Sequence, residues 1–443
     1  MQRYAFRRAG GALLACAVLS SGCDGAKNDP ALAKTGEAAI PKVPVPPADG
    51  PPLGSIANLT PVRERPAKDA RQLGYLHAGA KVARADKPYD DEGCEGGWYP
   101  IRPRGFVCVG DAATIDMAHP TLAVMSLAPK LGETLPYTYA RTKKETPLYE
   151  RSAQTDDSVR EVGKLPVRSA LAIVGSWTAK DPKGIEQRLG LTTDGHFVTA
   201  SDLVAAEPSP FQGVELGEKL PLPVAFVVKR GVRAWDVSKD EADKLDELAY
   251  HQLVPLTGRF RSVGPVKYWA VEGGHYVRHR DVTVIRQRNS YPDFVTPEQK
   301  WIDVSVITGT LVLYEGKRAV FGTLVSVGRD RLGDPKTTAS TAQGDFEIVG
   351  KHITALGLDP LLLGDPYQVR DAPWALELSS GQLMLGAYWH DRFGIETGPG
   401  AIELSPSDAA RVWQWVGLTV PDGWHGVSGA PSADQKVMVR VRK

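Results

Sequence analysis

Charge of one sign, spare thiols and long apolar runs are all scarce in this chain of 443 residues. Its 53 basic and 52 acidic residues leave a formal net charge of +1, and no stretch gathers Lys and Arg into the stripe that phosphate backbones require. That excludes nucleic acid as an expected partner. The one concentrated apolar run, GGALLACAVLSSG at 10–22, is too short to span a bilayer. Cysteine occurs only four times, at 16, 23, 94 and 108. None of these cysteines sits in a His-bearing motif, which argues against a ready-made thiolate nucleophile.

What is present begins at the N-terminus. Arg3, Arg7 and Arg8 precede that apolar run, the order of a secretory signal over residues 1–22. The run closes on LSSGC, so the junction resembles a bacterial lipobox in which Cys23 is acylated and becomes the mature N-terminus. Ser20 departs from the usual Leu, which stands one place earlier at Leu19. An ordinary cleaved signal is the other reading. The lipoprotein reading puts the chain in the periplasm or at the outer membrane of a bacterium, with a lipid anchor as its membrane contact. Residues 23–60 lack hydrophobic periodicity and are rich in proline, the pattern of an extended tether.

With Cys16 removed and Cys23 acylated, Cys94 and Cys108 are left as an even pair in an oxidising compartment. A disulfide is the expectation, closing a loop of about 15 residues worth roughly 3 kcal/mol. Two free thiols are the competing reading.

At about 150 residues per domain the length suggests several units. Three places share an ending: GFVCVGD at 105–111, HFVTASD at 196–202 and HYVRHRD at 275–281. In each, an aromatic is followed by Val and, five residues on, by Asp. Short β-like runs broken by Gly and Pro lie between them. The reading is three small β-barrel units, at 61–118, 119–215 and 216–292. They resemble bacterial Src-homology-three-like domains, with GCEGGWYPIRPRGFVC the best match. Exposed aromatics there would bind peptidoglycan or a protein, whereas Trp98, Tyr99 and Tyr276 as barrel filling is the plainer role. His275 and His279 have the spacing of a helical metal pair, but HYVRHRDVTVI reads as a strand, which would set the imidazoles about 13 Å apart. No metal and no cofactor is expected.

Residues 299–330 alternate apolar and polar side chains around a turn at Glu315 and Gly316, as antiparallel strands would. Further strands are expected in GDFEIVGKHI and PWALELSS. SPSDAARVWQWVG then starts a helix, with Ser405 as its cap, Pro406 in the first turn and Asp408 at capping-box spacing.

Over 297–427 this order resembles the L,D-transpeptidase (YkuD-type) catalytic domain, through LVSVG at 324–328, TAQGDF at 341–346, PWALEL at 373–378 and PDGWHGV at 421–427. Gly386, Tyr388, Trp389, His390, Phe393 and Gly394 fit its approach to the active site. Residues 428–443 follow as a tail or strand. The fold class is therefore mainly β and multi-domain: small β-barrel units, then a mixed β-rich domain with a C-terminal helix.

The resemblance implies peptidoglycan acyl transfer by a Cys thiolate, with a His moving protons and Gly-region amides holding the oxyanion. Here the family's SHGC-x-N/R signature falls on GPGAIE, residues 398–403. Gly398 replaces Ser, Pro399 replaces His, Ala401 replaces the nucleophilic Cys, and Glu403 replaces Asn or Arg. The upstream His falls on Leu385. Gly386 and Gly400 are kept, alongside Trp389 and His390. No intact catalytic set remains, so the expectation is a cell-envelope lipoprotein of this family without its chemistry, scaffolding wall assembly and partnered by peptidoglycan or a cell-wall protein. Glu403 is expected to disturb the usual binding of carboxylate-bearing substrates unless something pairs with it. Two alternatives stand beside this: an active transpeptidase or hydrolase with a site relocated to Thr397, Glu396 and His390, and a surface structural protein that binds another protein.

Overall fold

The computed structural model describes residues 42–125, 127–152, 158–239, 241–358, 367–429, 432 and 435–443, leaving aside the side chains of 357, 358, 396 and 397. The segment read as a signal, Cys16, Cys23 and the first part of the segment read as a tether lie outside the described residues. The fold is mainly β, in several sheets, with helices at Pro120–Val124 and Pro406–Trp415.

The described chain forms one compact unit, and its sheets cross the expected unit boundaries. Pro52–Ser55, inside the segment read as tether, is a strand between Lys81–Ala83 and Ala113–Thr114. Leu53 is fully buried there, so burial and pairing on both edges outweigh the surrounding prolines and end the extended segment earlier than composition suggests. Thr60–Arg63 pairs with Gln72–Leu76, which in turn pairs with Gly426–Ser428 from the far end of the chain. A β-carbon on Gly74 would stand 2.3 Å from the Gly426 carbonyl oxygen and 2.8 Å from the Trp424 ring. Only glycine allows the two strands to approach this closely. The Cys94–Cys108 disulfide is formed and packs with Trp98 and Phe106.

The segment 138–205 makes an antiparallel set in which Ala170–Lys180 is central, bonded to Thr138–Thr142 and Glu186–Thr192. Its first residue also meets Val369 in parallel. Residues 224–285 build a separate seven-stranded sheet whose edge is the exposed, acidic strand Asp243–Leu248. Two of the three shared endings adopt one local form: a three-residue strand, a single 3₁₀ turn ending on Asp202 or Asp281, and another strand. His279 thus opens a turn rather than continuing the strand, and its Nδ1 accepts from Trp269 Nε1 at 2.8 Å.

Toward the C-terminus, Lys300–Ser305, Thr310–Glu315 and Arg318–Leu324 form the expected meander, with Met438–Arg442 added in parallel to the first. Gly344–Leu358 and Val369–Leu378 make a long antiparallel pair that carries Leu383–Gly386 at its side. The alternation expected from the sequence does not carry over into exposure: the three meander strands are buried almost end to end, because one face enters one core cluster and the other face a second. The first cluster is shared along the chain: Leu53, Val62 and Ile101 belong to the same buried cluster as Ile302, Leu311, Trp374 and Trp413.

Helix Pro406–Trp415 begins as expected, since Ser405 Oγ accepts from the Asp408 amide at 3.2 Å. The Asp408 carboxylate does something other than complete a capping box. It accepts the Gly213 amide at 2.8 Å and the Thr323 hydroxyl, tying the helix start to two distant segments. Burial pushes this carboxyl up to about 6.

Candidate functional site

The signature region hangs between two short parallel strands, Leu383–Gly386 and Ile402–Leu404, which set Leu385 opposite Glu403 and Gly386 opposite Leu404. The helix packs on their ends: a β-carbon on Gly386 would meet Ala409 at 3.1 Å. Residues 387–401 loop out between the strands and border a cleft of about 310 Å³. Its walls include Leu385, Trp389, Pro399, Gly400, Ala401 and Glu403 from the expected set, joined by Thr338, Ser340 and Gln382.

Three sequence motifs meet at one point of this wall. Thr341, which opens TAQGDF, donates its hydroxyl to the Gly400 carbonyl at 3.0 Å and accepts the amide of Gly328, which closes LVSVG, at 2.9 Å. Gln382 Nε2 adds a second donor to Gly400 at 3.1 Å. Gly400 itself has φ +121°, a region that side chains other than glycine rarely enter. The motif threonine therefore fixes the backbone next to Ala401. Gln382 and Ser340 carry no recognisable motif role, and only the fold brings them here.

The positions that the sequence resemblance singled out lie as follows. Leu385 is fully buried, an apolar side chain in core contact with Ala387 and Tyr388; burying a leucine contributes about 2 kcal/mol. Pro399 has no side-chain hydrogen-bonding atom. Ala401 is half-buried and offers only a methyl group. Among the described residues there is no free thiol, since Cys94 and Cys108 are joined.

Glu403 is nearly inaccessible, and its carboxylate does not stand open toward the cleft. Oε2 accepts from His390 Nε2 at 2.9 Å. The other imidazole nitrogen, Nδ1, accepts the Arg392 amide at 3.1 Å, which places the ring proton on Nε2, where it points at the carboxylate. The same carboxylate lies against Gly398: a β-carbon there would be 2.9 Å from Oε2 and 3.0 Å from Cδ. A serine at 398 and a glutamate at 403 in this pose exclude each other. The two positions are thus sterically linked, and the unpaired carboxylate expected from the sequence is instead paired with His390.

This arrangement also bears on the relocated site. Both nitrogens of His390 are engaged, leaving the ring no lone pair with which to activate a hydroxyl. The side chains of Glu396 and Thr397 lie outside the described residues.

Behind the cleft, Tyr388 donates its hydroxyl to the Asp371 carbonyl at 3.0 Å. The Asp371 carboxylate, fully buried, accepts from Tyr139 and Thr193 hydroxyls, each at 2.8 Å. Burial pushes this acid up to about 7 against the pull of those hydrogen bonds. PDGWHGV does not line the cleft. Its Trp424 donates to the Arg102 carbonyl, and its His425 is buried beside Tyr75 and His77. It fastens the N-terminal strands to the C-terminal ones.

No protein-family profile matches the chain, and no curated protein matches it either. Among solved structures, an L,D-transpeptidase from Mycobacterium smegmatis aligns with 54% of this chain and 98% of its own, at 15% identity and a TM-score of 0.26. L,D-transpeptidase 1 of Mycobacterium tuberculosis aligns with 54% of this chain and 100% of its own, at 18% identity and a TM-score of 0.23. An L,D-transpeptidase from Stackebrandtia nassauensis aligns with 35% of this chain and 60% of its own, at 20% identity and a TM-score of 0.24. Likeness this distant carries no conclusion about activity.

Proposed function

We propose that the chain is a bacterial cell-envelope protein of the L,D-transpeptidase type in which the inherited cleft no longer performs acyl transfer. It acts by binding peptidoglycan or a wall-assembly protein, held near a membrane by lipid on Cys23. The observation that carries this reading is the His390–Glu403 pair seated on Gly398, with Glu403 two residues from Ala401. Acyl transfer by this route needs a nucleophile, a base within hydrogen-bond reach and preorganised donors. Ala401 supplies no nucleophile, Leu385 and Pro399 accept no proton, and the one imidazole beside them is committed to Glu403. Removing a nucleophile and its base together costs several orders of magnitude in rate.

The test incubates the purified full chain with tetrapeptide-stem peptidoglycan and measures D-alanine release and cross-links, alongside sedimentation with purified sacculi. Co-sedimentation without release is the expected result. Release or cross-linking at enzymatic rates overturns the inactive reading, and failure to sediment favours a surface protein whose partner is another protein.

A further inference from the structure

The loop that carries His390 is gripped on both sides of that residue by side chains from much earlier in the chain. Arg141, on the strand Thr138–Thr142, reaches the Trp389 carbonyl at 3.3 Å. Beyond His390, the Asp391 carboxylate pairs with Arg230 at 2.8 Å, and the Asp391 carbonyl lies 3.5 Å from the Tyr250 hydroxyl. Two residues further, the Phe393 carbonyl stands 3.3 Å from His251 Nε2. Arg230, Tyr250 and His251 all belong to the stretch that builds the seven-stranded sheet.

These contacts are unequal. Arg230 and Asp391 are both more than half exposed, and such a pair contributes little. A hydroxyl at 3.5 Å is a long reach for a hydrogen bond. His251 is different, being half-buried with its ring packed on Tyr250 at 3.8 Å and Phe211 at 4.6 Å. A carbonyl only accepts, so Nε2 carries the ring proton and donates it to Phe393. The His251 backbone has φ +65°, in the left-handed region that residues other than glycine enter at a cost. Hydrogen bonds from behind hold it there: the His251 amide donates to the Val227 carbonyl at 2.8 Å and the Gln252 amide to the Ala249 carbonyl at 3.1 Å. The sheet thus presents this imidazole to the loop.

What the imidazole holds is the support of His390. The Phe393 side chain is fully buried, and its ring lies 5.0 Å from the His390 ring, centre to centre. The next residue is shut in, since the Gly394 amide donates to the Val325 carbonyl at 3.1 Å and a β-carbon on Gly394 would come within 2.9 Å of Val228. A displaced Phe393 has no room on that side. Its movement falls on His390, and through Nε2 on Glu403 in the cleft wall.

We infer that His251 is a positioning residue for the cleft: its N–H on the Phe393 carbonyl sets the loop that seats His390 on Glu403, while Arg141 holds the other side at Trp389. The sheet of residues 224–285 is through this contact a working part of the cleft. This role deepens the reading given for the cleft and rests on it only where sacculi are the probe.

His251→Asn in the full chain separates contact from strain, because asparagine tolerates the left-handed backbone but its shorter amide falls short of Phe393. His251→Gln keeps a donor of longer reach. Hydrogen exchange read by mass spectrometry is expected to quicken about fivefold over residues 389–394 in His251→Asn, the worth of one such hydrogen bond. That segment includes the Arg392 amide, which donates to His390 Nδ1. Exchange in the meander 300–324 is expected to stay as in the parent, His251→Gln to slow the loop again, and Arg230→Ala to change it little. Unchanged exchange at 389–394 in His251→Asn, a rise shared equally by 300–324, or His251→Gln exchanging as fast as His251→Asn would each overturn the inference. Co-sedimentation with sacculi is expected to weaken in His251→Asn by a similar factor, and undiminished binding alongside quickened exchange would remove the role in the cleft. A parent that does not sediment at all counts against the wall-binding reading, and the exchange result then decides the role of His251 by itself.

Discussion

His390 Nε2 donates to Glu403 Oε2 across 2.9 Å, and the carboxylate it holds rests against Gly398. Both side chains are largely buried, at 11% and 3% exposure. A pair of this kind is a poor gain over an apolar pair of the same shape, yet removing one partner strands the other. His390→Phe is expected to cost about 3 kcal/mol by leaving an uncompensated buried carboxylate, whereas Glu403→Gln keeps the hydrogen bond and costs about 1 kcal/mol. Urea midpoints measure both, and an unchanged midpoint for His390→Phe would show that the carboxylate is not dependent on the ring.

Gly398→Ser is expected to destabilise the protein through the same carboxylate. The added side chain meets Glu403 at about van der Waals overlap and forces it off His390. The double variant Gly398→Ser with Glu403→Asn is expected to recover more stability than the single changes summed, a coupling of about 1 kcal/mol in a double-mutant cycle. Strict additivity would remove the steric link drawn between the two positions.

Ala401→Cys places a sulfur at the half-buried position without adding a base. Iodoacetamide is expected to label this thiol, while D-alanine release from tetrapeptide stems stays at background, because positioned proton transfer alone is worth about 10²–10⁴ in rate. Release by this single variant at a rate typical of enzymes would mean that another group already serves as base.

Asp371 links stability to pH. Its carboxyl is raised from 3.8 to about 7 by burial, so the folded state holds a proton that the unfolded state gives up first. The stability this contributes is present at low pH and is lost as pH rises from about 4 to about 7, a loss on the order of a few kcal/mol. Asp371→Asn keeps the shape and removes the titration. The difference between variant and parent denaturation midpoints should therefore widen in the variant's favour across that interval, and a constant difference would contradict the raised acidity.

Reduction of Cys94–Cys108 opens a loop spanning 14 positions. About 3 kcal/mol of stability should go with it, read as a lower thermal midpoint for the Cys94→Ser, Cys108→Ser variant. The loss should appear first near Trp98 and Phe106, which pack on the bridge.

Local pattern carried far into this fold. The meander of 300–324, the helix after Ser405 and the cysteine pair were all readable, because alternation, capping chemistry and compartment act on neighbouring or obligatory partners. What short-range pattern could not give was contact between distant segments. Glu403 alone reads as an unmatched acid; its partner stands thirteen residues earlier and reaches it only because the two flanking strands run parallel. Asp408 reads as a capping residue until Gly213 and Thr323 are brought to it by tertiary packing. Pro52–Ser55 sits in a proline-rich stretch and becomes a strand only because two later segments flank it. His77 gives no signal in sequence, since a buried ring nitrogen without a partner shows only in three dimensions.

The Gly74–Gly426 clasp sets an order on biogenesis. Strand Gln72–Leu76 emerges early and finds one of its neighbours only when residues 426–428 have been made. Until then its edge is open, and an open edge is an invitation to pair with another chain. Native contacts this remote in sequence also close slowly. A nascent copy of this protein thus carries an incomplete sheet for nearly the whole of its synthesis, and any break in the chain before residue 426 would leave that sheet permanently unfinished.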